Sequence, residues 1–537
     1  MNKSNLYLFL LAALIGCSGP KEVVTAPAPS INDFTTTINS EGLRADLTVI
    51  AHDSLKGRET GSEGQEMAAD YLANKYERLG LEPVGDNGTY FQKVSLTQPV
   101  TTSYTYSVYS SEGELVNTST HNAEEIGHFR TWSAGGPDLT GEIVFVGYST
   151  KNDSVSHFPE DSEGKWLLTF YDRASFSDLQ KEIATSNALG ALLILNSEES
   201  EYIESSEEDK ASFGVPGRMS LTYLVDEGAT SGVINVISPT MAAQLLGLND
   251  VEDLNNLGQR ILAEPTGFEA INTGFTLNHK EIASTIITES KNIVAFIEGS
   301  NPLLKDEVVV LSSHYDHVGI GRPDSTGDAI YNGADDDGSG TVGVLHVAQA
   351  LMSAKKAGAG PERSVLILHV TGEEKGLLGS RYYSDHPIYS IENTIANINV
   401  DMIGRRDFEH PEDGDYIYII GGKIISSGLN TMLEEANLES VNITLSDRYN
   451  DLNDPNQFYR RSDHWNFGRL GIPFAFFFNG VHEDYHRPSD EVDKIDFEAL
   501  TKRSQLIFTT IAKIANAEER PKVDNEEFIK KTQEQPR

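Results

Sequence analysis

Acidic and imidazole side chains recur in short clusters along the second half of this chain. His314 and Asp316 stand in His314-Tyr315-Asp316-His317, and three consecutive aspartates, Asp335, Asp336 and Asp337, occupy the glycine-flanked segment Asn332–Gly340. Glu373 and Glu374 are adjacent, Asp401 follows an apolar run, Asp463 precedes His464, and His486 lies in Tyr485-His486-Arg487-Pro488-Ser489-Asp490. Taken singly these are ordinary: a surface pair, a solvated helix start, a turn. Gathered in one place they would be costly, because buried carboxylates repel one another unless a cation neutralises them. Imidazole plus carboxylate without thiolate suits hydrolytic zinc, with manganese or cobalt as substitutes. Calcium alone does not call for the histidines.

The flanking patterns say what must position these residues. Val308–Ser312, Ser364–Thr371, Ala396–Val400 and Pro473–Phe478 read as buried strands, and Gly340–Ala357 and Leu377–Ser384 as helices. Alternation of this kind predicts an α/β domain with a mixed, mostly parallel central sheet flanked by helices. In such sheets ligands bind beyond the carboxyl ends of the strands. His314 and Asp316, Glu373 and Glu374, and Asp401 each stand at or just past such an end. Gly61–Gly80 reads as an amphipathic helix with Met67, Tyr71, Leu72, Tyr76 and Leu79 on one face and Gly80 as its cap. Residues 101–284 read instead as short strands (Glu142–Tyr148, Trp166–Tyr171, Ala191–Leu195) between turns, a β-rich insertion without clustered ligands. Within it, Glu198–Asp209 reads as an acidic mobile loop.

The set resembles peptidase family M28, which includes aminopeptidases, glutamate carboxypeptidase-like enzymes and glutaminyl cyclases. The similar stretches are the two segments around His314 and Asp336, Gly372–Gly376, Asn399–Gly404, Ser462-Asp463-His464 and Tyr485–Asp490, in the family's order. The resemblance implies the zinc exopeptidase (phosphorylase/hydrolase-like) fold and two Zn2+ ions. Asp336 would bridge them, His314 and Asp401 would complete one site, and Glu374 and His486 the other. Asp336 is preferred to its neighbours because the family's bridging aspartate sits four residues before the last glycine of this loop, here Gly340. Glu373 would be the general base, Asp316 would accept the ring N–H of His314, and Asp463 would be a supporting residue. Tyr459, three residues before Ser-Asp-His, would donate to the oxyanion. The insertion resembles a protease-associated domain in Pro137–Val144 and Ser186–Ala191.

These implications describe an exported two-zinc exopeptidase, an aminopeptidase that hydrolyses N-terminal residues of peptides through a metal-activated water. Glutaminyl-peptide cyclisation, which uses nearly the same residues with one working zinc, and carboxypeptidase-type cleavage, which needs a basic pocket for the terminal carboxylate, stand as alternatives. A binding protein on the same scaffold would lose ligands, whereas all five and the base are present here.

Composition bounds the rest. The 537 residues are 39% hydrophobic and carry 81 acidic against 42 basic side chains, a formal charge of -39. Such a surface repels nucleic acid and anionic lipid, so the expected partner is a peptide substrate and not nucleic acid. Lys3 and the apolar run Leu6–Ile15 suit a signal peptide, ending in Leu14-Ile15-Gly16-Cys17, which resembles a lipobox. Cys17, the single cysteine, would carry the lipid, the one expected contact with a membrane, and make the chain an exported bacterial lipoprotein, periplasmic or at the cell surface. The expected organisation is a signal peptide (1–16), a tether (17–31), a first peptidase segment (32–100), the insertion (101–284), the catalytic domain (285–520) and a charged tail (521–537). The sequence sets no oligomeric state.

Overall fold

A computed structural model describes residues 29–132, 138–152, 154–225 and 232–533. The expected signal peptide and Cys17 lie outside the described residues. Helix α1 (Ser40–Ile50) starts at Asn39, whose side chain accepts the Gly42 N–H. Helix α2 (Glu63–Leu79) is the one expected between Gly61 and Gly80; Ser62 caps its start and Gly80, at φ 79°, its end. Its buried face is rotated from the expected one. Ala68, Ala69, Leu72 and Tyr76 are buried, Tyr71 and Leu79 pack at the edge, and Met67 is 44% exposed. Small alanines in the centre of the face let the helix lie close to its neighbours, which pushes the larger residues to the flanks.

The insertion opens on β1 (Phe91–Ser110) and continues through β2 (Leu139–Phe145), β3 (Trp166–Phe170), α3 (Phe176–Ser186), β4 (Gly190–Ile194), α4 (Glu199–Asp209) and β5 (Val233–Ile237). Strands β2, β3, β4 and β5 are parallel neighbours. The region expected to be β-rich therefore has helices between its strands. The acidic segment expected as a mobile loop is α4: Tyr202 and Ser206, four residues apart, are buried while most of the glutamates stay exposed.

Strand β6 (Ile271–Ile297) runs for 27 residues and pairs antiparallel with β1 from Phe275↔Ser110 to Ile293↔Phe91. The expected bounds of the insertion, 101 and 284, fall inside β1 and β6. The second half follows: β7 (Val308–His314), α5 (Gly340–Lys356), β8 (Ser364–Val370), α6 (Leu378–Asp385), β9 (Thr394–Val400), β10 (Tyr416–Gly421), α7 (Ser427–Glu439), β11 (Thr444–Ser446), β12 (Phe474–Phe478) and α8 (Phe497–Ala515). The sheet order is β11-β10-β12-β9-β7-β8-β6-β2-β3-β4-β5, with the short strand Phe129–Thr131 beyond β5 at the edge. Strands β12, β9, β7 and β8 run parallel, while β10 and β6 flank them antiparallel.

Side-chain alternation sends Val309 and Leu311 into one core with Leu47 of α1, Leu345 of α5 and Ile507 of α8. Val308 and Val310 point to the opposite face, into a cluster with Tyr383 and Phe467. Burial on both faces is why these strands read as unbroken apolar runs. Each such side chain contributes about 1.5–3 kcal/mol, which fixes the strand ends from which the polar residues emerge. Among the described residues no helix is long and apolar enough to cross a membrane.

Candidate metal centre

The expected residues converge at the carboxyl ends of β7, β8 and β9. His314 is the last residue of β7, and its Nδ1–H donates to the backbone carbonyl of Asp316 at 3.1 Å. That turns Nε2 toward Asp336 Oδ1 at 3.3 Å and Asp401 Oδ1 at 3.5 Å. The other oxygen of Asp336, Oδ2, lies 3.0 Å from His486 Nε2 and 3.8 Å from His317 Nδ1. Glu374 closes this second group, with Oε2 3.2 Å from His486 and Oε1 2.8 Å from His317 Nδ1. Two sets of donors result, His314–Asp336–Asp401 and His317–Asp336–Glu374–His486, each compact enough to hold one metal ion.

Of the triplet, Asp336 is the one turned toward His314 and His486, for a physical reason. Asp335 accepts the Gly404 N–H and Ser339 hydroxyl and pairs with His482, while Asp337 accepts the amides of His314, Gly340 and Met402. Both neighbours are occupied in holding backbone, leaving Asp336 to face the imidazoles. Asp490 accepts the N–H groups of Asp335 and Asp336 and so fixes the loop from the far side.

Two arginines, both fully buried, pin the surrounding loops. Arg58 donates to the carbonyls of Ile50, Tyr315, Asn332 and Gly333, tying the His314 and Asp336 segments together. Burial lowers its pKa to about 10, against the pull of Asp316, Asp336, Asp337 and Asp490, so it stays charged at neutral pH. Arg503 donates to Ile403, Arg405, Gly414 and Tyr416 and holds the segment after Asp401.

Asp316 differs from expectation. Its carboxylate is 3.9 Å from His314 Nδ1 and accepts instead from the Thr60 hydroxyl at 2.7 Å and the Glu373 N–H at 3.3 Å. The backbone carbonyl orients His314, and the carboxylate orients the Glu373 loop. Tyr459 also differs. It is buried against Trp465, and its hydroxyl has no hydrogen-bond partner. The cavity beside the cluster is lined by Glu373, Met402, Phe458, Arg461, Phe476, Phe478 and Tyr485, and not by Tyr459. Tyr485 stacks on His486 at 4.0 Å and feels the charge of Asp336, Glu374, Glu373 and Asp401. Asp401 accepts from Ser462 at 2.7 Å, and Asp463 is buried without a partner.

The electrostatics are those of a site built for positive charge. Burial resists the protonation of His314, yet Asp401 and Glu373 raise its pKa far above the ordinary value. Glu373 moves upward too, through burial and the like charges of Glu374, Asp463 and Asp401. Both ring nitrogens of His317, one oxygen of Glu374 and both of Asp463 are buried with no hydrogen-bond partner. The orphaned atoms of His317 and Glu374, members of one compact donor set, fit a bound cation, and the nitrogen-and-oxygen set fits zinc. Sequence reasoning quoted His317 and Tyr485 inside their motifs and gave neither a role. Arg58 carried no motif at all.

Residues 292–511 match the family model described as Peptidase family M28. The M28-like region is similar to Aminopeptidase YwaD of Bacillus subtilis, 26% identical over 242 residues that cover 43% of this chain and 46% of the relative. Leucine aminopeptidase 2 of Arthroderma otae is 23% identical over 72% of this chain and 69% of its own. The chain spans about half the length of the first curated relatives it matches. Among solved structures, a zinc aminopeptidase from Bacillus subtilis aligns over 88% of this chain and 94% of its own, at 19% identity and a TM-score of 0.42.

Proposed function

We propose that this chain is a two-zinc exopeptidase that removes N-terminal residues from peptides. The observation that carries the reading is the convergence of His314, Asp401, Glu374 and His486 on the two oxygens of Asp336, with Glu373 beside them. His314, Asp336 and Asp401 would hold one zinc, and Asp336, Glu374 and His486 the other. Bound zinc would supply Lewis acidity, polarising the scissile carbonyl and lowering the pKa of a water.

The chain's own groups do the rest. Glu373 takes a proton as the water oxygen bonds to the carbonyl carbon, then passes it to the amide nitrogen as the C–N bond breaks. Its raised proton affinity suits a group that must hold that proton between steps. Tyr485, against His486 at the cavity wall, replaces Tyr459 as the hydroxyl offered to the developing oxyanion. Phe458, Phe476 and Phe478 form an apolar recess for the residue released. The same reading includes export, a lipid anchor at Cys17 and a protease-associated role for the insertion; an acidic surface leaves the peptide as the partner.

One observation favours a second reading. Arg461, exposed and packed on Phe458, puts a cation at the cavity wall, which carboxypeptidase-type recognition of a terminal carboxylate requires. Peptides with a free amine and blocked carboxylate, and the reverse, separate the two, each assayed with and without chelator. The aminopeptidase reading expects chelator-sensitive cleavage of the first only. Cleavage of the second alone replaces it with the carboxypeptidase reading, and chelator-resistant cleavage removes the metal mechanism.

A further inference from the structure

We infer that His317 is a sixth protein ligand, so that the two metal sites differ in chemistry: one imidazole in the first, two in the second. This rests on the two-zinc reading and adds a residue to it.

Four observations converge. His317 is fully buried, and its Nδ1 lies 2.8 Å from Glu374 Oε1 and 3.8 Å from Asp336 Oδ2. Despite the short separation, neither Nδ1 nor Oε1 has a hydrogen-bond partner, so the oxygen does not lie where a ring N–H would point. Two buried polar atoms left facing each other in this way are costly unless both donate lone pairs to one cation. The His317 and His486 rings stand edge-to-face at 5.6 Å, as two ligands of one ion do when they approach from different sides. Lastly, the ring is seated by design of the backbone: Gly333, at φ 55°, lies under it, and a Cβ there would come within 2.5 Å of His317 Cδ2. The glycine therefore makes room for the imidazole beside the aspartate loop.

The consequence is asymmetry. The His317–His486 site, with two nitrogens, favours zinc or cobalt over manganese more strongly than the His314 site does. His314 has its second ring nitrogen on a carbonyl, whereas His317 Nε2 has no acceptor, so His317 is the less firmly oriented of the two.

The test uses the full chain loaded with cobalt(II), read by paramagnetic proton NMR and by metal content. Each coordinated imidazole contributes one exchangeable, strongly shifted N–H signal. Three are expected in the unaltered protein, from His314, His317 and His486, and one should vanish in His317→Asn. The same variant should bind its second zinc at least tenfold more weakly in chelator competition, the lower end of what loss of an outer-shell partner costs. Two signals in the unaltered protein, with two metals bound, overturn the assignment of His317 while leaving the two-zinc reading intact. Uptake of a single metal by the unaltered protein overturns that reading itself. Because the signal count in the unaltered protein needs no variant, poor folding of His317→Asn does not rescue a failed assignment.

Discussion

The second half of the chain and the insertion both bury histidines, with opposite results. In the insertion His121 and His279 sit among aromatic rings, His121 beside Phe213 and His279 beside Tyr104, Tyr106 and Trp166. Burial, helped at His121 by the charges of Arg130 and Lys210, pushes each of them down to about 4. At the ends of β7 and β8 burial exerts the same downward push, yet carboxylates from other strands raise His314, and bring His486 up to about 10. A buried imidazole is thus no sign of a metal centre by itself. What marks the centre is imidazole and carboxylate delivered to one point from separate elements.

Removing the shared carboxylate should break that contrast most completely. Asp336→Ala is expected to lose bound metal and reduce peptide hydrolysis to background, measured by metal analysis and initial rates. On the proposed reading Glu373→Gln would keep the ligands and remove the base, so kcat should fall by about 10^2–10^4-fold while metal content stays near normal. Loss of metal in that variant would move Glu373 from base to ligand. Next, Tyr485→Phe should lower kcat by roughly 10^2-fold, whereas Tyr459→Phe should leave it within about twofold; the reverse result would restore Tyr459 as the donor.

The smallest effect belongs to the insertion. His121 and His279 bind a proton less readily when folded than when unfolded, where their value is near 6.5. Between pH 6.5 and 4 the unfolded chain therefore holds more protons, and stability falls as pH falls. In the double replacement His121→Phe, His279→Phe, the urea midpoint should lose part of its slope across that window, with hydrolysis near neutral pH unchanged.

Strand identities were legible in the sequence because burial on both faces leaves an unbroken apolar signature, as in Val308–Ser312 and Ser364–Thr371. The clustering of His314, Glu373, Glu374 and Asp401 was legible because they stand at or just past the ends of those strands. Other features depend on contacts that no local pattern encodes. Helix α4 hid behind its glutamates, since only Tyr202 and Ser206 mark its inner face. Arg58 works through carbonyls up to 275 residues away. Which of Tyr459 and Tyr485 borders the cavity depends on packing against Trp465 and His486.

Strand β6 gives the two halves a common spine. Its first residues pair with β2 of the insertion and its last with β8, whose end carries Glu373 and Glu374. With β1 alongside for most of its length, it forms a splint on the order of 90 Å in contour, with a register shift between Ile282 and Ala283. Excising residues 101–284 as a cassette would cut both strands of that splint in mid-course. The natural seam for engineering therefore lies at the strand ends, since one continuous backbone joins the insertion to the central sheet.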